Sequence, residues 1–407
     1  MRNWLRNIGP GPLVAAAFIG PGTVTVCTLA GINFGFALLW ALAFSIVATV
    51  VLQEMSARLG IITQKGLAEV IRAEIKQPIF KNIVILLILA AIVLGNAAYE
   101  AGNISGGVLG LETIFGKTSI NFGNSSFNSF SLITGLIAFI VLMIGSYKIL
   151  ERVLVTLVIL MSLAFLITAI LTKPNFSEIL KGIFYFNIPD ASILTVVALI
   201  GTTVVPYNLF LHASLAREKW QKSSDLKFAR KDTLIAVVLG GIVSMCIIIS
   251  AASIQTQEVN SAADLAMGLE PLFGKLSKYV LAVGLFAAGI TSAITAPLAA
   301  AYVATGCLGW NSSLNSMRFK MVWILVLGLG VVFSTIGFKS IEIIKFAQVA
   351  NGLLLPLIAG FLIWIMNKSS VLGSYKNTLI QNVASILILG VTLFLGLKSI
   401  LAVFNLL

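Results

Sequence analysis

Gly20-Pro21-Gly22-Thr23 and Val204-Val205-Pro206-Tyr207-Asn208 decide the fold of this chain. Each lies midway along an apolar run of the length that crosses a bilayer, and each carries residues that stop a helix. A backbone N–H or C=O left unpaired in hydrocarbon costs on the order of several kcal/mol, so a spanning helix breaks only where protein, water or a ligand satisfies the freed groups. Two such breaks, five spans apart, mark a binding site rather than an anchor. A packing kink is the competing account of Gly20-Pro21-Gly22 alone, since Pro and Gly are common in membrane helices; the second break weakens it.

The surrounding sequence sets the class. The 407 residues are 58% hydrophobic and only 10% charged, which leaves too little polar surface for a water-soluble globule. The apolar runs lack the period-two alternation of an outer-membrane barrel, so the chain reads as an all-α integral membrane protein. Spans are expected at about 10–31, 34–57, 80–108, 129–147, 153–172, 190–214, 232–254, 278–305, 319–337, 341–366 and 377–402, eleven in all. Cys27, Cys246 and Cys307 fall inside apolar segments with no ligand or redox spacing and read as reduced packing residues. Arg2 and Arg6 precede an apolar run that carries the Gly20 break and leads into a second span, so no cleavable signal peptide is expected.

Basic residues fall in alternate loops: Arg2 and Arg6, Arg58 to Lys81, Lys148 and Arg152, Arg217 to Lys231, Arg318 and Lys320, Lys368 and Lys376. The intervening loops, such as 109–128 and 255–277, are poor in Lys and Arg. The positive-inside rule then predicts a multi-pass protein of the cytoplasmic membrane with its N-terminus cytoplasmic and its C-terminus outside. The net charge of +12 is therefore topology and not a nucleic-acid footprint. Residues 1–407 read as one transporter domain. Spans one to five (about 10–172) and six to ten (about 190–366) form the halves of an inverted repeat, because an odd number of spans makes the second half enter from the opposite side. The two breaks then occupy equivalent places, and the helix at about 377–402 is peripheral to that symmetry.

The chain carries Gly9-Pro10-Gly11-Pro12, Ala30-Gly31-Ile32-Asn33-Phe34-Gly35 with Leu38-Leu39-Trp40, Ser56-Ala57-Arg58-Leu59-Gly60-Ile61 with Leu67-Ala68-Glu69, Leu211-His212-Ala213-Ser214-Leu215, Ala287-Ala288-Gly289-Ile290-Thr291-Ser292 and Gln348. Together these motifs resemble the Nramp family of proton-coupled divalent metal transporters, which share the LeuT-type architecture. The resemblance implies a 5+5 inverted repeat with helices 1 and 6 broken. It also exposes departures. The family resembles itself in an Asp-Pro-Gly-Asn break and a Met-Pro-His break whose Asp, Asn and Met hold the ion. Here Gly20 stands for the Asp, Thr23 for the Asn, Val205 for the Met and Tyr207 for the His. The family's acidic pair in helix three appears as Asn96 and Tyr99.

A dehydrated divalent cation needs anionic or strongly dipolar oxygen ligands, and softer ones favour manganese or iron over calcium or magnesium. The breaks instead offer backbone carbonyls, hydroxyls and one amide, a neutral site. The N–H groups at the start of the helix near Gly22 suit a carboxylate, Gly20 and Gly22 let backbone approach a ligand, and Thr23 adds a hydroxyl. The substrate site is expected to comprise Gly20, Gly22, Thr23, Thr202, Val205, Tyr207, Asn208, Asn96, Gln348 and Asn351, with no resident metal or cofactor. Helix-helix hydrogen bonding is an equal account of Gln348 and Asn351. Asn96, Glu100 and Asn103 share one helical face, and Glu100 and the sole histidine, His212, are the candidates for proton or cation coupling. An aqueous mouth for Glu100 and a packing role for His212 are the alternatives. Glu54, Arg58 and Glu69 read equally as an inner-gate network or as solvated charge.

No nucleotide-binding loop, catalytic triad or metal-hydrolase motif is present, which argues against an enzyme, and no pore-lining charged ring suggests a channel. The expectation is a secondary active transporter working by alternating access, moving a small carboxylate or amino-acid-like solute with a coupling proton or cation. The alternative is a proton-coupled divalent metal transporter with altered selectivity. The metal-ligand-poor branch of the family is similar to proteins encoded beside 5-oxoproline-degrading enzymes, which makes 5-oxoproline a test compound.

Overall fold

The computed structural model describes residues 19–122, 125–145, 148–254, 259, 261–310, 315–336 and 338–404. The described chain begins with α1 (Pro21–Phe34), α2 (Leu39–Thr63), the short α3 (Leu67–Glu74) and the long α4 (Pro78–Phe115). A small hairpin follows, β1 (Ser119–Phe122) paired antiparallel with β2 (Ser125–Asn128). Next come α5 (Ser129–Ile144), α6 (Lys148–Leu171), α7 (Phe176–Phe184), α8 (Ile193–Thr203), α9 (Pro206–Lys219) and α10 (Leu226–Ala251). Two short turns, α11 (Ala262–Ala266) and α12 (Glu270–Phe273), lead to α13 (Ser277–Leu308), α14 (Met317–Thr335), α15 (Ser340–Met366), α16 (Ser369–Leu372) and α17 (Leu379–Val403).

Each of the expected spans coincides with a helix, with α8 and α9 together making the sixth; residues 10–18 of the first lie outside the described residues. Among the described residues nine helical stretches are long and apolar enough to cross a bilayer, and Ser129–Ile144 is a shorter apolar helix. The hairpin and the amphipathic α3 and α7 are additions in segments expected to be loops. The helices are apolar on nearly every side because they meet protein inside and lipid outside. Leu86, Leu94, Leu136, Ile170, Ile386 and Leu387 are exposed on the outer surface, whereas Thr23, Thr202 and Asn208 are buried.

The interior is assembled by close backbone approaches at small residues, as expected where lipid supplies no hydrophobic drive between helices. A side chain at Gly106 of α4 would overlap Pro21, so α4 receives the start of α1. Gly201 of α8 and Gly352 of α15 meet the opposing backbones of Gln348 and Val197, which draws α8 and α15 together. The loops divide between two ends. At one end Glu54 pairs with Arg58 at 3.0 Å and with Arg230 at 2.8 Å, Arg217 pairs with Glu69 at 2.8 Å, and Arg58 donates to the carbonyl of Tyr375 and to Asn377 Oδ1 at 2.8 Å each. This links the basic loops after α2, α9 and α15. At the other end Trp40 donates to the Asn187 carbonyl at 2.7 Å, and β2 bridges from Phe127 to Ile336. The tie from Arg58 to Asn377 fastens the start of α17 to α2.

Candidate functional site

The first break is a helix start without a side-chain cap. Gly20 is the N-cap in an extended conformation (φ −103°, ψ −175°), and Pro21 occupies the first turn, where its missing N–H costs nothing. Val24 N–H reaches back to the Gly20 carbonyl at 3.2 Å, which leaves the amides of Gly22 and Thr23 ahead of the helical ladder. With no acidic residue in the first turn, the positive end of the α1 dipole meets no fixed protein carboxylate on its own helix.

The second break is shorter than the sequence suggested. α8 ends at Thr203, Val204 and Val205 form the turn, and α9 starts at Pro206, so Tyr207 and Asn208 stand in the first turn of α9 rather than in the break. Proline dictates this geometry: it cannot extend α8 and is pre-shaped to begin α9. The last carbonyls of α8 thereby lose intrahelical partners beside the start of α9.

The fold brings both breaks to one place. Thr23 Oγ1 and Thr202 Oγ1 lie 3.0 Å apart although 179 positions separate them. Gln348 on α15 lies over Gly22, where an added Cβ would overlap its carboxamide. Thr23, Thr202, Val205, Tyr207, Asn208, Gln348 and Asn351 are each at most 2% exposed, so this is a closed site. Gln348 Oε1, Asn351 Nδ2 and both amide atoms of Asn208 have no hydrogen-bond partner within the protein, an expensive condition for buried polar groups. A cavity of about 880 Å³ lies elsewhere, at the basic end, lined by Lys65, Glu69, Arg72, Arg217, Tyr302 and Trp310 among others.

The residues of α4 divide among neighbours. Tyr99 faces Tyr207, with ring centroids 5.4 Å apart, which joins α4 to the second break. Asn96, expected among the substrate contacts, instead donates to the Ala296 carbonyl of α13 at 2.9 Å. Glu100 is fully buried; its methylenes lie against Gly330 of α14, and its Oε2 accepts from Asn103 at 3.3 Å while Oε1 is unpartnered. In this closed conformation its carboxyl is enclosed by protein. The i, i+4, i+7 face is therefore split by what packs on it, Asn96 toward α13 and Glu100 toward α14. His212 is also fully buried, with Nδ1 2.6 Å from Gln53 Oε1 of α2 and Nε2 without a partner. Gln53 was missed by sequence reasoning, because it stands beside Glu54 near the polar end of the second span, where one more polar residue gives no signal. Glu54, Arg58 and Glu69 join the ion pairs at the basic end.

Among the described residues no group of three or more His, Cys, Asp or Glu could hold a metal ion. The donor set at the breaks is neutral: hydroxyls, amides and backbone.

Comparison with known proteins accords with this architecture. The family described as natural resistance-associated macrophage protein-like matches residues 11–402. The divalent metal cation transporter MntH of Verminephrobacter eiseniae (strain EF01-2) is 26% identical over 381 residues, covering 91% of this chain and 83% of that one. MntH of Erwinia tasmaniensis is 26% identical over 412 residues, covering 98% and 95%. The fold resembles the Eremococcus coleocola manganese transporter crystallised with an aromatic bis-isothiourea compound, at a TM-score of 0.77 and 22% identity over 98% of this chain and 87% of that one. It also resembles MHP1, a nucleobase-cation-symport-1 family transporter in a closed conformation with bromovinylhydantoin bound, at 0.53 and 12% over 96% and 93%. With the family pattern running through both broken helices and nearly the whole sequence, the chain belongs to the Nramp family and is a multi-pass, LeuT-fold membrane transporter.

Proposed function

We propose that this transporter carries a small organic carboxylate or amino-acid-like solute in place of a divalent metal. The observation that carries the reading is the neutral, closed site at the uncapped start of α1, where Thr23, Thr202 and Gln348 meet. Free amides at a helix start favour a carboxylate, and the unpartnered amides of Gln348, Asn351 and Asn208 suit a solute with its own hydrogen-bond donors and acceptors. 5-Oxoproline has a carboxylate and a lactam and is the first compound to test. Divalent metal transport is the second reading, favoured by relatives named as divalent metal cation transporters; Gly20, Thr23 and Val205 offer such an ion neither charge nor a soft ligand.

Transport by alternating access would move the solute between the two ends around the paired breaks, with spans one to five and six to ten as inverted halves. The positive-inside rule supports a cytoplasmic face at the end where Glu54, Arg58, Arg230, Glu69 and Arg217 pair, and with it an N-terminus inside and a C-terminus outside the cytoplasmic membrane. His212 on α9 and Glu100 on α4 are fully buried and are assigned to proton coupling.

Proteoliposomes test the proposal. Accumulation of a labelled small carboxylate against its gradient, driven by an imposed proton or sodium gradient and unaffected by manganese, supports it. Manganese accumulation with no uptake of any organic acid in a broad panel overturns it.

A further inference from the structure

The loop between α6 and α8 carries a helix whose sides divide into three sectors. α7 runs Phe176-Ser177-Glu178-Ile179-Leu180-Lys181-Gly182-Ile183-Phe184, started by Asn175, whose side chain accepts from Ser177 N–H at 3.0 Å. At about 100° per residue, Ile179, Gly182 and Ile183 share one sector. It packs on the corner between α1 and α2, where a side chain at Gly182 would overlap the Phe36 carbonyl. The next sector is Phe176, Leu180 and Phe184, spaced i, i+4, i+8, with Phe176 69% and Phe184 82% exposed. The third is Ser177, Glu178 and Lys181, exposed and polar.

A horizontal position at the edge of a bilayer satisfies all three sectors at once. A solvent-exposed helix would leave two phenylalanines in water at a cost of about 1.5–3 kcal/mol each relative to burial, and a spanning one would drag Glu178 and Lys181 into hydrocarbon. The chain fixes the depth: Phe176 follows the end of α6 by five residues, and the exposed Ile167, Ile170 and Leu171 of α6 continue into the exposed stripe of α7. Beyond α7 the exposed Tyr185 and Phe186 continue the apolar edge, and the Phe186 ring packs at a tilt against Trp40 with centroids 4.1 Å apart. Aromatic side chains favour that boundary.

We infer that α7 is an interfacial helix that docks on the lipid surface, with Phe176, Leu180 and Phe184 in the acyl region just below the headgroups and Glu178 and Lys181 in water. The partner is the bilayer itself. The contact holds the connection from α6 to α8 at a fixed depth against the α1–α2 corner, on the end of the protein opposite the basic loops.

Tryptophan placed in each sector reads the assignment in full-length protein reconstituted in nanodiscs. Phe176→Trp and Phe184→Trp should add emission that lipids brominated high on the acyl chain quench by at least about half, while aqueous iodide leaves it largely intact. Glu178→Trp should show the reverse. Quenching of the 176 and 184 probes by iodide and not by brominated lipid overturns the proposal, as does resistance to both quenchers in a protein that cross-links as two copies. Leu180→Trp, scored the same way, maintains the test should either aromatic replacement fail to accumulate.

Discussion

Gly22→Val is the sharpest test of where the solute sits. An ideal Cβ at this position would overlap the carboxamide of Gln348 and stand 3.1 Å from its Cγ, and Gln348 is 1% exposed, so its amide must leave its place. The far end of a glutamine is flexible, so α1 and α15 keep their packing and the loss falls on the site. If Gln348 is a substrate partner, removing it costs about 1–3 kcal/mol, which raises the apparent KM for the organic solute roughly 5- to 140-fold. Uptake into proteoliposomes over a range of substrate concentrations, alongside thermal unfolding of the same preparations, separates site from scaffold. Gln348→Ala should reproduce the loss. The double variant should lose little more than either single one, because both act through one side chain. A Gly22→Val protein of normal melting temperature whose KM stays within about twofold of wild type, or losses that add in the double variant, would refute the placement.

Purified protein should bind manganese far more weakly than a metal-carrying relative; micromolar binding by calorimetry that is lost on altering Gly20, Thr23 or Val205 would contradict the neutral site. Gly20→Asp should repel a carboxylate substrate and recover weak divalent-cation binding, and unchanged organic uptake would place the carboxylate elsewhere. Glu100→Gln and His212→Ala should flatten the rise of uptake with falling external pH more than they change substrate affinity; wild-type profiles in both would remove these residues from coupling. At Gly201 a Cβ would overlap the Gln348 carbonyl and lie 2.7 Å from Gly352 N, so Gly201→Ala should lose about 1–3 kcal/mol and melt earlier, and an unchanged melting curve would count against the close α8–α15 contact. Glu54→Gln strips both Arg58, 2% exposed, and Arg230 of their carboxylate and should cost about 3 kcal/mol, read as a lower melting temperature.

The second break and the start of α1 were legible because Pro and Gly act locally: Pro206 separates α8 from α9, and Pro21 begins α1. The polar face of α4 was only half legible. Periodicity put Asn96, Glu100 and Asn103 together, but the neighbour that each meets depends on where α13 and α14 pack. Gln53 escaped attention because its significance lies entirely in His212, 159 positions away.

The sequence by itself determined that this is an all-α membrane protein with two broken spans and no charged or soft ligand at the breaks, since hydropathy, helix-breaking and side-chain chemistry are properties of single residues and short runs. It also determined which loops share a face, because basic residues are partitioned one loop at a time. Tertiary structure alone decided that Thr23 meets Thr202, that Gln348 covers Gly22, that His212 leans on Gln53 and that α7 presents three different sides. In a protein apolar on nearly every helix face, hydrophobic patterning does not say which side of a helix looks inward. That choice is made by the few places where glycine lets two backbones touch, and those become visible only once the helices are packed.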